Sequence, residues 1–289
     1  ANGLNHYNPQ TNTFSIFLHD PQNPNSLSSN IISSLYLDSQ GFLWIGTIGG
    51  SLNRYDPIHQ QFTRYLHEPG NPNTLNATDV TWMFETSRGE FLVGTWYQGI
   101  HKMNREEGTF QQLPILESVR VTRCLEDREG KIWIASWDKG VYYYDPQNQS
   151  LLQFTHNPSD PESITSDSIA SLYEDRSGMI WIGTLYGGIN AINHNIHRFI
   201  NYTIFPREIT NTNIFSLYED GEGILWIGIY KCGLIRFDRD SNQWDFFSLP
   251  GTEGFDFGNS VLSILEDRQG RLWVGSYRFG LYCFDRKER

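Results

Sequence analysis

The chain has 289 residues, of which 15% are aromatic and only 19% charged, and a formal net charge of −11. Such a chain can bury a large core and is not a disordered tail; its acidic balance argues against a general nucleic-acid or anionic-membrane binder, either of which needs a basic face. No apolar run approaches the roughly 20 residues that cross a bilayer, and the start, Ala1-Asn-Gly-Leu-Asn-His6, does not read as a signal peptide, so any leader or anchor is expected outside this segment.

From the N-terminus, Gly3-Leu-Asn-His-Tyr7 and Phe14-Ser-Ile-Phe17 read as two short strands, a partial unit over about residues 1–20. A fuller unit then recurs over about 30–66, 78–113, 119–155, 167–204, 212–249 and 259–289, the last stopping after Leu281-Tyr-Cys-Phe284. Each contains one phrase: Gly41-Phe-Leu-Trp44-Ile-Gly46-Thr47, Gly89-Glu-Phe-Leu92-Val-Gly94-Thr95, Gly130-Lys-Ile-Trp133-Ile-Ala135-Ser136, Gly178-Met-Ile-Trp181-Ile-Gly183-Thr184, Gly223-Ile-Leu-Trp226-Ile-Gly228-Ile229 and Gly270-Arg-Leu-Trp273-Val-Gly275-Ser276. The leading glycines stand 48, 41, 48, 45 and 47 residues apart. A period in the forties built from short strands predicts a propeller array.

The fourth unit shows the four strands. Ile169–Asp175 is a β-rich run, Arg176-Ser-Gly178 a tight turn and Met179–Gly183 the returning strand. Ile189–Asn193 is a third strand, and a fourth follows at Arg198–Tyr202 after the turn at 194–197. The fold class is therefore all-β: one β-propeller domain over 1–289, of four-stranded antiparallel blades. It has six full or nearly full repeats plus a partial one, about 25 strands, and no helix to speak of. It is six- or seven-bladed, or a segment cut from a longer array; because both ends stop mid-blade, the segment is the expected reading. Asp38, Asp127, Asp175, Asp220 and Asp267 precede the turn and are expected to bond its N–H groups. The tryptophans are expected to fill the wedge between blades, and the Gly-Thr or Gly-Ser pair to let the chain leave a crowded sheet. Two units depart. In the second, Thr86 and Leu92 replace aspartate and tryptophan while Trp82 appears on the first strand; in the third, Arg123 stands where others have Ser34, Ser171, Ser216 or Ser263.

The phrase D-x-x-G-x-(I/L)-W-(I/V)-G-(T/S), followed by G-(L/I)-x-x-(Y/F)-D, is visible in Asp38 to Asp56, Asp175 to Asn193, Asp220 to Asp238 and Asp267 to Asp285. It is preceded by the loops Asn23-Pro-Asn-Ser-Leu27, Asn71-Pro-Asn-Thr-Leu75 and Asn157-Pro-Ser-Asp-Pro-Glu-Ser-Ile164. This resembles the two-component regulator propeller repeat over nearly the whole chain. The resemblance implies the extracytoplasmic, here periplasmic, sensor of a membrane histidine kinase, often a hybrid kinase detecting glycan fragments. In some members the output is instead a diguanylate cyclase. Kinase or cyclase chemistry would then lie in other domains, and this segment would be no enzyme.

In a propeller the loops between strands two and three share a face, and the repeat serves as a ruler to them. The residue after the Thr/Ser position is Ile48, Trp96, Trp137, Leu185, Tyr230 or Tyr277, and the next is Gly49, Tyr97, Asp138, Tyr186, Lys231 or Arg278. Aromatic faces beside charged groups suit a sugar, whose C–H face stacks while its hydroxyls are hydrogen-bonded. Candidate ligand-binding residues are thus Trp82, Trp96, Tyr97, Trp137, Asp138, Tyr186, Tyr230, Lys231, Tyr277 and Arg278, with Arg120 and Arg123 available to an acidic sugar. The competing use of these rings is packing under loops or a homodimer contact. Expected partners are a small-molecule or oligosaccharide ligand and further domains of the same sensor, with no nucleic acid, no membrane contact by this segment and no cofactor. Asp238-Arg-Asp240-Ser-Asn242 begins like a calcium loop but has Gln243 where glycine is needed, so it reads as a hairpin turn. His194 and His197, and Cys124, Cys232 and Cys283 without CxxC spacing, make no metal site or disulfide framework. An elimination enzyme resembling the streptogramin lyases would need a histidine and carboxylate cluster on the loop face, whereas most histidines here fall in turns.

Overall fold

A computed structural model describes residues 3–193, 198–202, 213–252 and 257–284. The turn with His194 and His197, the segments 203–212 and 253–256, and Asp285 lie outside the described residues. The chain divides into two compact units, Ala1–Glu126 and Asp127–Arg289.

The first unit holds eleven strands: β1 (Leu4–Asn8), β2 (Thr13–Phe17), β3 (Ile32–Leu37), β4 (Leu43–Thr47), β5 (Leu52–Asp56), β6 (Gln61–Tyr65), β7 (Val80–Glu85), β8 (Phe91–Thr95), β9 (Ile100–Asn104), β10 (Thr109–Gln112) and β11 (Val121–Glu126). β1 pairs with β2, while β3 to β6 and β7 to β10 each form a four-stranded antiparallel meander. The second unit holds β12 (Ile132–Ser136), β13 (Val141–Asp145), β14 (Ser150–Phe154), β15 (Ile169–Glu174), β16 (Met179–Thr184), β17 (Ile189–Asn193), β18 (Phe199–Tyr202), β19 (Ile214–Glu219), β20 (Leu225–Ile229), β21 (Gly233–Asp238), β22 (Gln243–Phe247), β23 (Val261–Glu266), β24 (Leu272–Ser276) and β25 (Gly280–Phe284). β15 to β18 and β19 to β22 are complete meanders, and β23 to β25 a three-stranded one. These are propeller blades, and the all-β expectation holds: among the described residues the only helical segments are two three-residue 3-10 turns.

The aspartate of the repeat has two jobs. One oxygen of Asp175 accepts the N–H groups of Ser177 (2.8 Å) and Met179 (3.0 Å), as expected of a turn aspartate. The other accepts the indole N–H of Trp181 at 2.7 Å, which lets a large ring be buried with its polar atom satisfied. The same indole bond joins Asp38 to Trp44, Asp127 to Trp133, Asp220 to Trp226 and Asp267 to Trp273. It also explains the second repeat. Leu92 brings no indole, so Thr86 suffices to accept the turn N–H of Glu90 at 3.1 Å.

Adjacent blades are stitched at their first strands. The hydroxyl of Ser171 donates to the Ile214 carbonyl (3.1 Å), and that of Thr81 to the Val121 carbonyl (2.6 Å). The glycine of the phrase is required by this closeness: a Cβ on Gly183 would lie under 3.0 Å from both Ser171 Oγ and Ile214. The glutamate ending a first strand reaches back to cap the preceding blade's turn, Glu85 to the Ser39 N–H (3.0 Å) and Glu219 to the Arg176 N–H (2.8 Å). Apolar side chains fill the wedge, with Trp181, Ile189, Leu225, Ile227 and Phe237 in one buried cluster. The Asn-Pro loops are tied by a histidine that recurs at the same place. His19, His67 and His156 each bring a ring nitrogen to the carbonyl of Leu27, Leu75 or Ile164, the fully buried anchor of the loop.

Candidate functional site

The strand two-to-three loops have a fixed backbone. The hydroxyl of Thr95 donates to the Gly99 carbonyl (3.0 Å) and that of Thr184 to the Gly188 carbonyl (2.9 Å), closing each loop from beneath. The next residue's N–H then bonds the segment leading into the blade: Trp96 to Asp79, Leu185 to Ser168, Tyr230 to Asn213 and Tyr277 to Ser260, all at 2.8–3.0 Å. Identity at the tip is thereby freed from backbone duty. At the following position Gly49 has φ +76°, and Tyr186 and Lys231 occupy the same left-handed region at +71° and +62°. Side chains with a Cβ are held there at a cost of roughly 1–2 kcal/mol. Their N–H groups are secured by Asn213 Oδ1 and Ser260 Oγ, both at 2.9 Å.

Each unit places its own share of the predicted residues. In the first, Trp96 is half-buried and meets Tyr97 edge-on at 6.3 Å, while Tyr97 is 60% exposed. Trp82 stands on β7 opposite Gly94 and packs on Phe84 at 4.4 Å. Arg120 and Arg123 are half-buried; Arg123 donates to the Thr122 carbonyl at 2.8 Å, and desolvation pulls its guanidinium pKa down. In the second unit, Lys231 Nζ lies 5.4 Å from the Tyr230 ring centre, and the Arg278 guanidinium 6.0 Å from that of Tyr277. Trp137 and Asp138 are exposed together on the β12–β13 loop and Tyr186 on the β16–β17 loop, Tyr186 most of all at 79%. The structure thus pairs Trp96 with Tyr97, Tyr230 with Lys231 and Tyr277 with Arg278. Leu185 occupies the same ruler position and is buried. Asp238 to Asn242 forms the hairpin turn between β21 and β22 that the sequence predicts, with Asp238 accepting the N–H groups of Asp240 and Ser241.

One feature of the first unit escaped the sequence. A cleft of about 410 Å³ opens where the turns of its two complete blades meet, at the opposite strand ends from the loops above. Turn residues are polar in any blade, so no periodic signal marks it; Arg54, charged on a third strand directly across from Trp44, is matched by Arg236 across from Trp226 and so is no signal by itself.

The two component regulator propeller family matches residues 26–49, 163–186, 208–231 and 257–278. The unmatched repeats are those led by Trp82 and Arg123. No protein of curated function matches the sequence. Among solved structures, the chain is similar to the extracellular domain of the putative hybrid two component system BT3049 from B. thetaiotaomicron, at 24% identity and TM-score 0.81 over 97% of this chain and 37% of that one. It is similar to PorZ, a surface component of the type-IX secretion system of Porphyromonas gingivalis, at 18% identity and TM-score 0.66 over 88% and 38%. A streptogramin B lyase matches at 14% identity and TM-score 0.72 over 98% and 87%. These identities show the propeller fold, and the chain spans little more than a third of the first two.

Proposed function

We propose that this segment is the extracytoplasmic ligand-sensing propeller of a two-component, hybrid-type histidine kinase. It would bind an oligosaccharide or similar small molecule and pass the signal through further domains of the same protein to a cytoplasmic output. The family match supports the sensory role, and the observation that carries the ligand reading is the hydrogen-bonded loop backbone presenting exposed rings. Tyr97, Trp137, Tyr186 and Tyr277 are between 37% and 79% exposed where the scaffold asks for no aromatic. Planar amphipathic side chains on a fixed backbone bind with little loss of conformational entropy. Among the described residues no helix is long and apolar enough to cross a membrane.

The test is a thermal-shift screen of the purified chain against a glycan panel, followed by calorimetry on the best hit. Trp96→Ala combined with Trp137→Ala is expected to weaken binding tenfold or more, about 1.4 kcal/mol. Unchanged affinity in the folded double variant overturns the assignment of these loops. Consumption of the hit without saturable binding would favour the lyase-like alternative that the fold also admits.

A further inference from the structure

The cleft between the turns of the first unit's two complete blades is basic in an acidic chain. Four cationic side chains, Arg54, Arg88, Lys102 and Arg105, line it against two acidic ones, whereas the chain as a whole carries −11. Two of the cations are committed: Lys102 is paired with Glu90, and Arg105 with Glu85 and Asp38. The side chains of Arg54 and Arg88 make no hydrogen bond or ion pair with any described residue. Arg54 is held flat nonetheless, its guanidinium 4.6 Å from the ring centre of Phe42 and 5.9 Å from that of Trp44. Its Nε is shielded from solvent and has no partner. A shielded donor on a charged group is unfavourable unless something accepts from it. Here the stacking that fixes the guanidinium shields its Nε, while the two Nη groups are not among the shielded atoms. Arg88 stands on the turn of the neighbouring blade and supplies a second planar donor set to the same cleft.

We propose that this cleft binds the oxyanion group of a small molecule, a carboxylate, sulfate or phosphate, through Arg54 and Arg88. Guanidinium groups match such anions with paired, charge-assisted hydrogen bonds. The fixed Lys102 and Arg105 ion pairs frame the site, Gln40 at its edge offers an exposed amide to a polar body, and the volume suits a ligand of sugar size. Within the first unit the cleft lies at the opposite strand ends from the loop of Trp96 and Tyr97, so the two are tested separately.

The experiment is calorimetric titration of the whole chain with glucuronate, glucose 1-phosphate and, as the neutral control, glucose, at low and at 300 mM salt. Glucuronate or glucose 1-phosphate, or both, is expected to bind where glucose does not, with affinity falling as salt rises; the ratio of the two tells which oxyanion the cleft favours. Arg88→Gln, at an exposed position with no packing duty, is expected to weaken that binding at least tenfold, and Arg54→Gln likewise. Trp96→Ala is expected to leave it unchanged, which separates failure here from failure of the loop assignment. No binding of either anion, equal binding of glucose, or an anion affinity indifferent to Arg88→Gln overturns the proposal. Should Arg54→Gln fail to fold, the Arg88→Gln result decides.

Discussion

Asp175→Ala is expected to lower the unfolding free energy by about 4–5 kcal/mol, while the same change at Asp267 costs roughly 1–2. Both aspartates hold the same place in the repeat, and the difference lies in what surrounds them. The Asp175 side chain is fully shielded and accepts from two turn N–H groups, the Ser177 hydroxyl and the Trp181 indole, besides pairing with Arg239. Burial opposes its charge, yet the hydrogen bonds from Ser177 and Trp181 outweigh that and keep its pKa below the ordinary value. Alanine there strands the indole N–H of a tryptophan that is 2% exposed and the Met179 N–H, and leaves Arg239 with Glu219 as its one carboxylate partner. At Asp267 the carboxylate is 21% exposed, its companion Arg271 is 47% exposed and Trp273 is only half-buried, so water takes over part of the lost bonding. Urea unfolding of the two variants against the parent checks the prediction. Equal losses would mean that turn geometry alone, common to both sites, sets the cost.

That contrast marks how far the sequence could be read. The blade period, the hairpins and the turn role of the aspartates follow from local chemistry: glycine at positive φ, a carboxylate beside free N–H groups, alternating apolar residues. The third strand that the sequence predicts for the fourth unit, Ile189–Asn193, is β17. The second role of the aspartate was hidden because it needs the tryptophan six residues on to fold back over the turn. A paired substitution, Thr86 with Leu92, was its one trace. The glutamates at Glu126, Glu174, Glu219 and Glu266 recur before the aspartate as plainly as the glycines do. Their partners sit in the preceding blade, about forty residues away, where no periodicity points. Leu37 takes that place in the first complete blade and is 65% exposed. The ruler that marks the loop tips gives position without burial: it treats Leu185 and Tyr277 alike, and the fold buries one and exposes the other. The basic cleft was illegible for a different reason, since it joins turns of two blades that are each unremarkable alone.

Arg105→Met is expected to lower the unfolding free energy by about 3–5 kcal/mol at neutral pH, because it leaves two shielded carboxylates without their cation. Glu85 lies 2.6 Å and Asp38 3.5 Å from the guanidinium, and their side chains are 11% and 0% exposed. The hydrogen bond from Arg105 holds the Glu85 carboxyl down to about 2 against the opposing effect of burial, from an ordinary value of 4.5. A depressed carboxylate pKa contributes stability that is complete above the unfolded value and is lost as pH falls through the folded one. The parent chain should therefore lose this contribution between about pH 4.5 and 2, and the gap between parent and Arg105→Met should narrow over that window. Urea midpoints at pH 7 and pH 3 measure it. Methionine keeps most of the apolar length but not the charge, and Arg105 also lies 5.6 Å from the Phe91 ring centre. A gap that stays constant between the two pH values would assign the loss to that stacking contact, since a ring's attraction for a guanidinium does not titrate in this range, and not to the carboxylates.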